Sequence, residues 1–454
     1  MRLYNTLSGK VEEFTSPNGQ VGMYVCGITP YSASHIGHAM MSVIFDVVRR
    51  YLEFTGYKVR HIQNFTDVDD KMIAAANEMG IPVADLAERH IDDYLSEMDA
   101  LNVARAHAYP RATGEMDKIR DMIGTLIEKD YAYAADGSVY FRVRRDDDYG
   151  KLSGRDVDSI EPGARVEVEE SKEDVLDFAL WKAHKPGEPA WESPWGPGRP
   201  GWHIECSAMA IKYLGENIDI HGGGQDLLFP HHENEVAQSE AYSDSSPFAR
   251  FWVHNGTLGL GQDKMSKSLG NVVTVTEALE KFSPDALRMF FLSSHYRSPL
   301  AYGEQTVFGQ ERALERLRNA LRDGDPTDLD GSLDPANYHD QFISAMEDDL
   351  NTPRAMAALF DLAHEINRGK TARTDVSVAQ DTLRQLVHVL GITVEHETSP
   401  IEADVAAFVD LLVDTRSELR AAGQYALADK LRDGLTGLGI SLTDGADGTE
   451  WHAE

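Results

Sequence analysis

The sequence predicts an α/β fold: a doubly wound parallel (Rossmann-type) sheet with an insertion, followed by an all-α C-terminal region. Three observations carry this. Strand-like and helix-like segments alternate from 21 to 100, the alternation resumes after 201, and from about 283 nearly to the end the pattern is helical.

The elements follow in order. "VGMYVCG" (21–27) is strand-like. Ile44, Val47, Val48, Tyr51 and Leu52 recur at helical spacing, so roughly 36–55 forms an amphipathic helix. "YKVRHIQNFT" (57–66) is a second strand, and "DVDDKMIAAANEM" (67–79) opens a helix with Asp at its start. This alternation implies a parallel sheet wound on both faces. Residues 110–200, with the Pro/Gly/Trp-rich "KPGEPAWESPWGPGRPG", break the rhythm and read as an insertion between two halves of the sheet. "NIDIHGGG" (217–224), the helix "HHENEVAQSEAY" (231–242) and the strand "FWVHNG" (251–256) resume it. Further on, Val405, Phe408, Val409 and Leu412 share one helical face, as do Leu427, Leu431, Leu435 and Leu438, and "RDGDPTDLDGSLDPANYH" (322–339) reads as a linker. The expected segments are therefore 1–109 and 201–282 for the two halves of the sheet, 110–200 for the insertion, and helical regions at 283–322 and 323–454.

With 454 residues the chain is too long for one core. No apolar run approaches the roughly 20 residues a membrane span needs. The opening "MRLYNTLSGKVEEF" lacks a signal peptide's apolar centre, so a cytoplasmic location is expected. There are two cysteines, Cys26 and Cys206; a reducing cytoplasm disfavours a disulfide and leaves metal binding or plain burial. Net charge is −32, which by itself argues against nucleic acid. A local basic surface on an acidic body, or a salty cytosol, would reconcile the two.

Two short motifs point to nucleotide chemistry. His35-Ile36-Gly37-His38 falls where a strand runs into a helix, and a helix start favours phosphate. Its two imidazoles, three apart, could bond nucleotide phosphates, and Gly37 would let an adenine or ribose approach the backbone. Lys264-Met265-Ser266-Lys267-Ser268 is a basic loop whose Lys264 and Lys267 could clamp a leaving pyrophosphate; Gly259, Gly261 and Gly270 would let it move. In this order, on opposite halves of a doubly wound sheet, the pair resembles class I aminoacyl-tRNA synthetases. The resemblance implies that an amino-acid carboxylate is joined to the α-phosphate of ATP and the acyl group passed to tRNA. Gly27, Thr29, His35, Gly37, His38 and Lys267 are expected around ATP and its Mg²⁺, with His35, His38, Lys264 and Lys267 acting in the chemistry.

The cysteines suggest a second site. His231 and Glu235 are four apart on a predicted helix and share a face. With Cys26 and Cys206 they make a four-group set suited to zinc, with His232 competing for the histidine position and burial of both thiols as the alternative. "YVCG…HIGHA", "NFTDVDDK", "YGKLSGR", "LDFALWK", "RPGWHIECSAM", "FPHHENEVAQSEA" and "KMSKSLGN" follow one another in a way that resembles the cysteinyl-tRNA synthetases. That resemblance implies one Zn²⁺ per chain, ligated by Cys26, Cys206, His231 and Glu235, with Thr66, Trp202 and His221 forming the cysteine pocket. Zinc would tell the thiolate of L-cysteine from the hydroxyl of serine, which an apolar pocket cannot do, so no editing domain is needed. Asp285-Ala286-Leu287-Arg288 resembles the element that opens the helical tRNA-binding part. This makes 283–322 a stem-contact region and 323–454 the anticodon-binding domain, where Trp451 and Arg432 could meet unpaired bases. The implied partners are tRNA(Cys), L-cysteine and ATP, with no membrane, and the chain is expected to be a monomer. Gly27-Ile28-Thr29-Pro30-Tyr31 is also a form seen in the cysteine ligases of mycothiol synthesis, so an aminosugar is the alternative acceptor.

Overall fold

The chain begins with a hairpin, β1 (Arg2–Asn5) and β2 (Lys10–Glu13), then enters the expected alternation with β3 (Gln20–Ile28), α1 (Ile36–Phe54), β4 (Lys58–Phe65), α2 (Asp70–Met79) and α3 (Val83–Ala100). The computed structural model describes residues 1–159, 171–260, 263–264, 272–322, 331–394, 400–445 and 448–453. The insertion contributes α4 (Met116–Glu128) and an antiparallel sheet, β5 (Ala132–Ala135), β6 (Ser138–Phe141), β7 (Phe178–Ala183) and β8 (Gly198–Pro200). The main sheet resumes through α5 (Trp202–Leu214), β9 (Ile218–Gly224), α6 (Glu233–Ser243) and β10 (Ala249–Asn255).

The main sheet has the order β10-β9-β3-β4, with every neighbouring pair parallel. The side-chain alternation of β3 shows why it is buried on both sides. Val21, Met23 and Val25 enter one apolar cluster, which holds Val43, Val47 and Phe251; Tyr24 and Cys26 enter the other, which holds Ile119, Ile204, Cys206 and Trp252. α4 and Trp181 of β7 lie in that second cluster, so the insertion packs into the core beside the cysteines.

Past β10 come β11 (Leu258–Leu260), β12 (Asp263–Lys264), α7 (Val275–Leu279), α8 (Pro284–Leu292), β13 (Leu300–Tyr302), α9 (Glu304–Leu321), α10 (Ala336–Met346), α11 (Thr352–Thr371) and α12 (Ser377–Val389). The chain divides into two compact units, Met1–Val394 and Glu395–Glu454. The break thus lies at 394, whereas sequence placed one at 322. Leu359, Leu362 and Ile366 of α11 and Leu383, Leu386 and Val387 of α12 are buried in one core with Leu314 and Leu317 of α9 and Val47 and Val48 of α1. A polar Asp/Gly/Pro run between helices does not divide a core that the helices on both sides share. Of that run, 323–330 lies outside the described residues, and α10 already begins at Ala336.

The second unit contains α13 (Pro400–Ala421), α14 (Tyr425–Gly437) and a terminal hairpin, β14 (Ile440–Gly445) with β15 (Gly448–Ala453). This hairpin corrects the expectation of an all-helical end. In this unit Val409, Val413, Ala428 and Leu435 are buried, while Phe408, Leu427 and Leu438 are exposed.

Candidate metal and nucleotide site

The two halves of the sheet meet where β3 pairs with β9, Tyr24 opposite His221 and Val25 opposite Gly222. Chain order reverses there, so the carboxyl ends of the two strands open a crevice, the usual ligand position in a doubly wound sheet. Cys26 stands near the end of β3 at a register shift, and the Gly27 amide donates to Asn64 Oδ1 at 2.9 Å. His231 and His232 occupy a wide turn just ahead of α6, which carries Glu235. Cys206 comes from α5.

Cys26, Cys206, His231 and Glu235 are all buried. Cys26 Sγ lies 3.7 Å from Cys206 Sγ, 3.6 Å from His231 Nε2 and 3.4 Å from Glu235 Oε1, and His231 Nε2 lies 3.1 Å from Glu235 Oε1. Ligand atoms about 2.0–2.3 Å from one zinc in a tetrahedron stand about 3.3–3.8 Å apart, so the spacings from Cys26 to the other three suit a single ion, with Cys206 joined to the set through Cys26. His232 is drawn in as well. Its Nε2 lies 3.3 Å from Cys26 Sγ, and the donor atoms of Cys26, His231, His232 and Glu235 are all within 4.8 Å of one another. His232 Nε2 is 3.9 Å from Glu235, however, and its Nδ1 is tied to His254 Nε2 at 2.7 Å.

The electrostatics also suit a cation. Burial opposes ionisation of Glu235, yet His221 and His231 hold its carboxyl well below the usual range. Burial likewise opposes the His231 charge, but Glu235 and Cys206 lift that imidazole to about 10. The hydrogen bond from Cys26 brings the Cys206 thiol down to about 6, while burial and then Cys206 push the Cys26 thiol up. A carboxylate, a thiolate and a second thiol that keeps its proton thus face one imidazolium. Two thiols, a carboxylate and an imidazole, once stripped of protons, balance a divalent ion with one negative charge over.

Of the residues expected in the cysteine pocket, Trp202 and His221 contact this cluster. Trp202 opens α5, is 40% exposed, and stacks on His231 with ring centres 4.2 Å apart. Thr66 is buried, its amide bonding to Ile28 O at 3.1 Å. His221 is wholly buried behind Glu235, at 2.9 Å from Oε2, and stacks on Trp252.

On the nucleotide side, His35 caps α1, and its ring stacks on that of His38 at 3.7 Å between centres. A Cβ on Gly37 would lie 2.9 Å from His35 Nδ1, so the space left by this glycine is taken by the imidazole itself. Thr29 O accepts the Tyr31 amide at 2.9 Å. Lys264 pairs through its backbone with Gly259; Met265, Ser266, Lys267 and Ser268 lie outside the described residues. The chain beyond that stretch is pinned: Ile36 N bonds Val273 O at 3.1 Å and Val275 N bonds Ser34 O at 3.0 Å, which joins it to the His35 turn.

Several partners carry no clear signal in the sequence. His203 Nδ1 is 2.9 Å from His231 Nδ1 and sets that ring's orientation. His254, itself bonded to Thr6 Oγ1 at 2.8 Å, does the same for His232. Glu233 accepts the amides of Gly150, Leu152 and Ser153 at 3.0, 3.2 and 2.7 Å, which docks "YGKLSG" on the start of α6. His203 could have been found from its place beside Trp202 in "RPGWHIECSAM"; His254 carries no signal beyond lying in a strand.

Comparison with known proteins agrees with this architecture. The family description "tRNA synthetases class I (C) catalytic domain" matches residues 13–311, and "DALR domain" matches 341–395. The latter covers most of α10 and all of α11 and α12, and lies downstream of Asp285–Arg288. Solved structures with the same fold include a methionyl-tRNA synthetase of Mycobacterium tuberculosis in complex with methionyl-adenylate, 15% identical, covering 83% of this chain and 89% of that one, with a TM-score of 0.60. A LeuRS of Agrobacterium radiobacter K84 in a ternary complex is 12% identical over 84% of each chain, also at 0.60. The match over residues 13–311, more than half of the chain, makes it a class I tRNA synthetase. A cysteine–tRNA ligase of Dehalococcoides mccartyi is 55% identical over 99% of both chains, and one of Carboxydothermus hydrogenoformans is 49% identical over the same shares. The chain belongs to the cysteine–tRNA ligase family. Among the described residues no helix is long and apolar enough to cross a membrane.

Proposed function

We propose that the chain charges tRNA(Cys) with L-cysteine through a cysteinyl-adenylate, and that Cys26, Cys206, His231 and Glu235 hold one zinc ion that selects the amino acid. The buried four-donor cluster at the sheet's reversal, in a chain alike from end to end to cysteine–tRNA ligases, carries this reading. His231 is preferred to His232 because it lies closer to Glu235. Zinc, when bound, supplies a soft Lewis acid that a thiolate ligates far better than a hydroxyl.

The chain's own residues do the rest. Trp202 closes the exposed side of the cluster and Thr66, just past the end of β4, lines the amino-acid pocket, so the amino acid is oriented with its carboxylate toward the α1 start. There His35 and His38, with Gly27 and Thr29 nearby, hold ATP and its Mg²⁺. A carboxylate oxygen of cysteine attacks the α-phosphorus, the bond to the bridging oxygen breaks, and pyrophosphate leaves with its charge offset by Lys264 and Lys267. A terminal hydroxyl of the tRNA then attacks the acyl carbonyl and AMP departs. Residues 283–322 meet the tRNA stem and the C-terminal unit meets the anticodon. In that unit the Trp451 indole N–H is committed to Asp410 at 2.7 Å, which leaves its ring face for stacking, and Arg432 is half-exposed. All donors come from one chain, so a monomer carries a complete site. The two free cysteines fit a reducing cytosol.

The aminosugar acceptor finds no support and is set aside: the relatives matched over the full length are cysteine–tRNA ligases. The test is purified protein with ATP, radiolabelled cysteine, and tRNA with and without the cysteine anticodon, alongside elemental analysis. Cysteine-dependent pyrophosphate exchange, charging of the one tRNA, and one zinc per chain are expected. Activation of serine as readily as cysteine, or active protein without zinc, would remove the selection mechanism.

A further inference from the structure

Asp285 and Arg288 stand three apart on α8 and leave the same face. Arg288 is fully buried, and its guanidinium is spent on three separate segments. It donates to Asp46 Oδ2 at 2.6 Å, to Leu101 O at 2.8 Å and Asn102 O at 3.2 Å, and twice to Leu390 O at 3.2 and 2.8 Å. Asp46 sits on α1, about three turns beyond His35. Its carboxylate also accepts from Arg50 Nε at 2.8 Å and from the Ala104 amide at 2.9 Å.

The other side of this knot is residues 390–394. Asn102 Nδ2 donates to Gly391 O at 2.7 Å. Gly391 has φ +70°, and a Cβ there would fall 2.0 Å from Arg288 Nη2, so glycine is required both by conformation and by the guanidinium packed against it. One turn before Arg288, Asp285 accepts the Thr393 amide, the Thr393 hydroxyl and the Val394 amide, each at 2.9 Å. One face of α8 therefore grips the end of the first unit at two points and reaches α1 from the same grip.

Filling a core does not need this arrangement, since an aliphatic side chain fills space without a buried charge. What the planar fork adds is a fixed direction to each partner. We propose that Asp285 and Arg288 form a two-ended clamp that holds the His35–His38 turn in register with residues 390–394, from which the chain continues into the C-terminal unit. Arg288 is a positioning residue: it acts through Asp46 and α1 on where the two imidazoles stand. Asp285 holds Thr393 and Val394 at the end of the first unit, and this half rests on the assignment of the second unit to tRNA.

Kinetics of the full-length protein test both halves. Arg288→Lys keeps the charge but loses the fork. It should lower kcat for pyrophosphate exchange about 10- to 100-fold while KM for cysteine stays within about two-fold. Asp46→Asn should do the same, and the double variant should lose little more than the worse single one, because both break one connection. Asp285→Asn should raise KM for tRNA about five-fold and move exchange less. Should Arg288→Lys not fold, Gly391→Ala, whose methyl presses on the guanidinium, takes its place in the exchange assay. Exchange kcat within about two-fold of the parent in a folded variant, or losses that multiply in the double variant, overturns the clamp. The exchange half needs no tRNA. If Arg432→Ala and Trp451→Ala leave tRNA KM unchanged while Arg288→Lys still slows exchange, the tRNA assignment has failed and the connection to α1 stands.

Discussion

Cys26, Cys206, His231 and Glu235 are as hidden from solvent as Asp46 and Arg288, yet the two groups handle buried polarity in opposite ways. Around Arg288 every donor nitrogen meets an oxygen, and Asp46 is met by two guanidinium groups and an amide. The pair is complete as it stands. At the cysteine cluster, two thiols and a carboxylate crowd one imidazolium, with neighbouring donors 3.1–3.7 Å apart, and burial holds the nearby Glu205 carboxyl well above its usual range. A buried polar group that closes its own bonds fixes the elements it joins relative to one another, whereas one left short of positive charge is built for a ligand.

The contrast can be broken most severely at the cluster. Cys206→Ser should lose zinc and cysteine affinity together, with cysteine-dependent exchange falling roughly 10³-fold or more, beyond the roughly 10–100-fold that an outer partner costs. Elemental analysis and exchange kinetics read it, and a variant keeping both places the metal elsewhere. At the self-contained pair the loss should appear in stability. Asp46→Leu strands the Arg288 charge and should cost about 3–5 kcal/mol, whereas Asp46→Leu with Arg288→Met should regain most of it. Thermal unfolding of the three proteins measures this, and equal losses in single and double variants would refute a closed pair.

Lys267→Ala separates the metal side from the nucleotide side. Exchange should slow about 10²-fold, as for loss of one donor to developing charge, while zinc content stays whole. Unchanged turnover would remove the pyrophosphate role. The smallest effect concerns His61, buried on β4 with neither ring nitrogen bonded among the described residues. Burial, then the Arg49 charge, push its imidazole down to about 3. Below about 6.5 the unfolded chain takes up a proton that the folded chain refuses until about 3, so stability falls as pH drops through that window. The loss should be about 1 kcal/mol between about pH 6.5 and 5.5, and His61→Phe should flatten it in a series of melting curves.

Much of this is legible in the residues alone. The strands at 21–27, 57–66, 217–224 and 251–256 and the helix at 36–55 can be read because buried parallel strands and an amphipathic helix write their environment into runs and spacings of apolar residues. Cys26, Cys206, His231 and Glu235 stand out through the rarity of cysteine, the four-residue spacing and the family resemblance, and the fold brings Cys26 within 3.7 Å of the other three. The break at 394 is hidden because the apolar faces of α10–α12 say only that something covers them. Which of Phe408, Val409, Leu435 and Leu438 would be buried is not legible, because helical spacing defines a stripe without telling which part of it finds a partner.

The sequence by itself determined local matters: which segments are strand or helix, where α1 starts, and which residue types could hold a metal or a phosphate. Only the tertiary structure decided that His203 orients His231, that His254 orients His232, and that Arg288 spans three segments from α1 to residue 390. Spacing and propensity act over a few residues along the chain. Hydrogen bonds between groups tens or hundreds of positions apart are fixed only when the sheet's strand order brings their elements together.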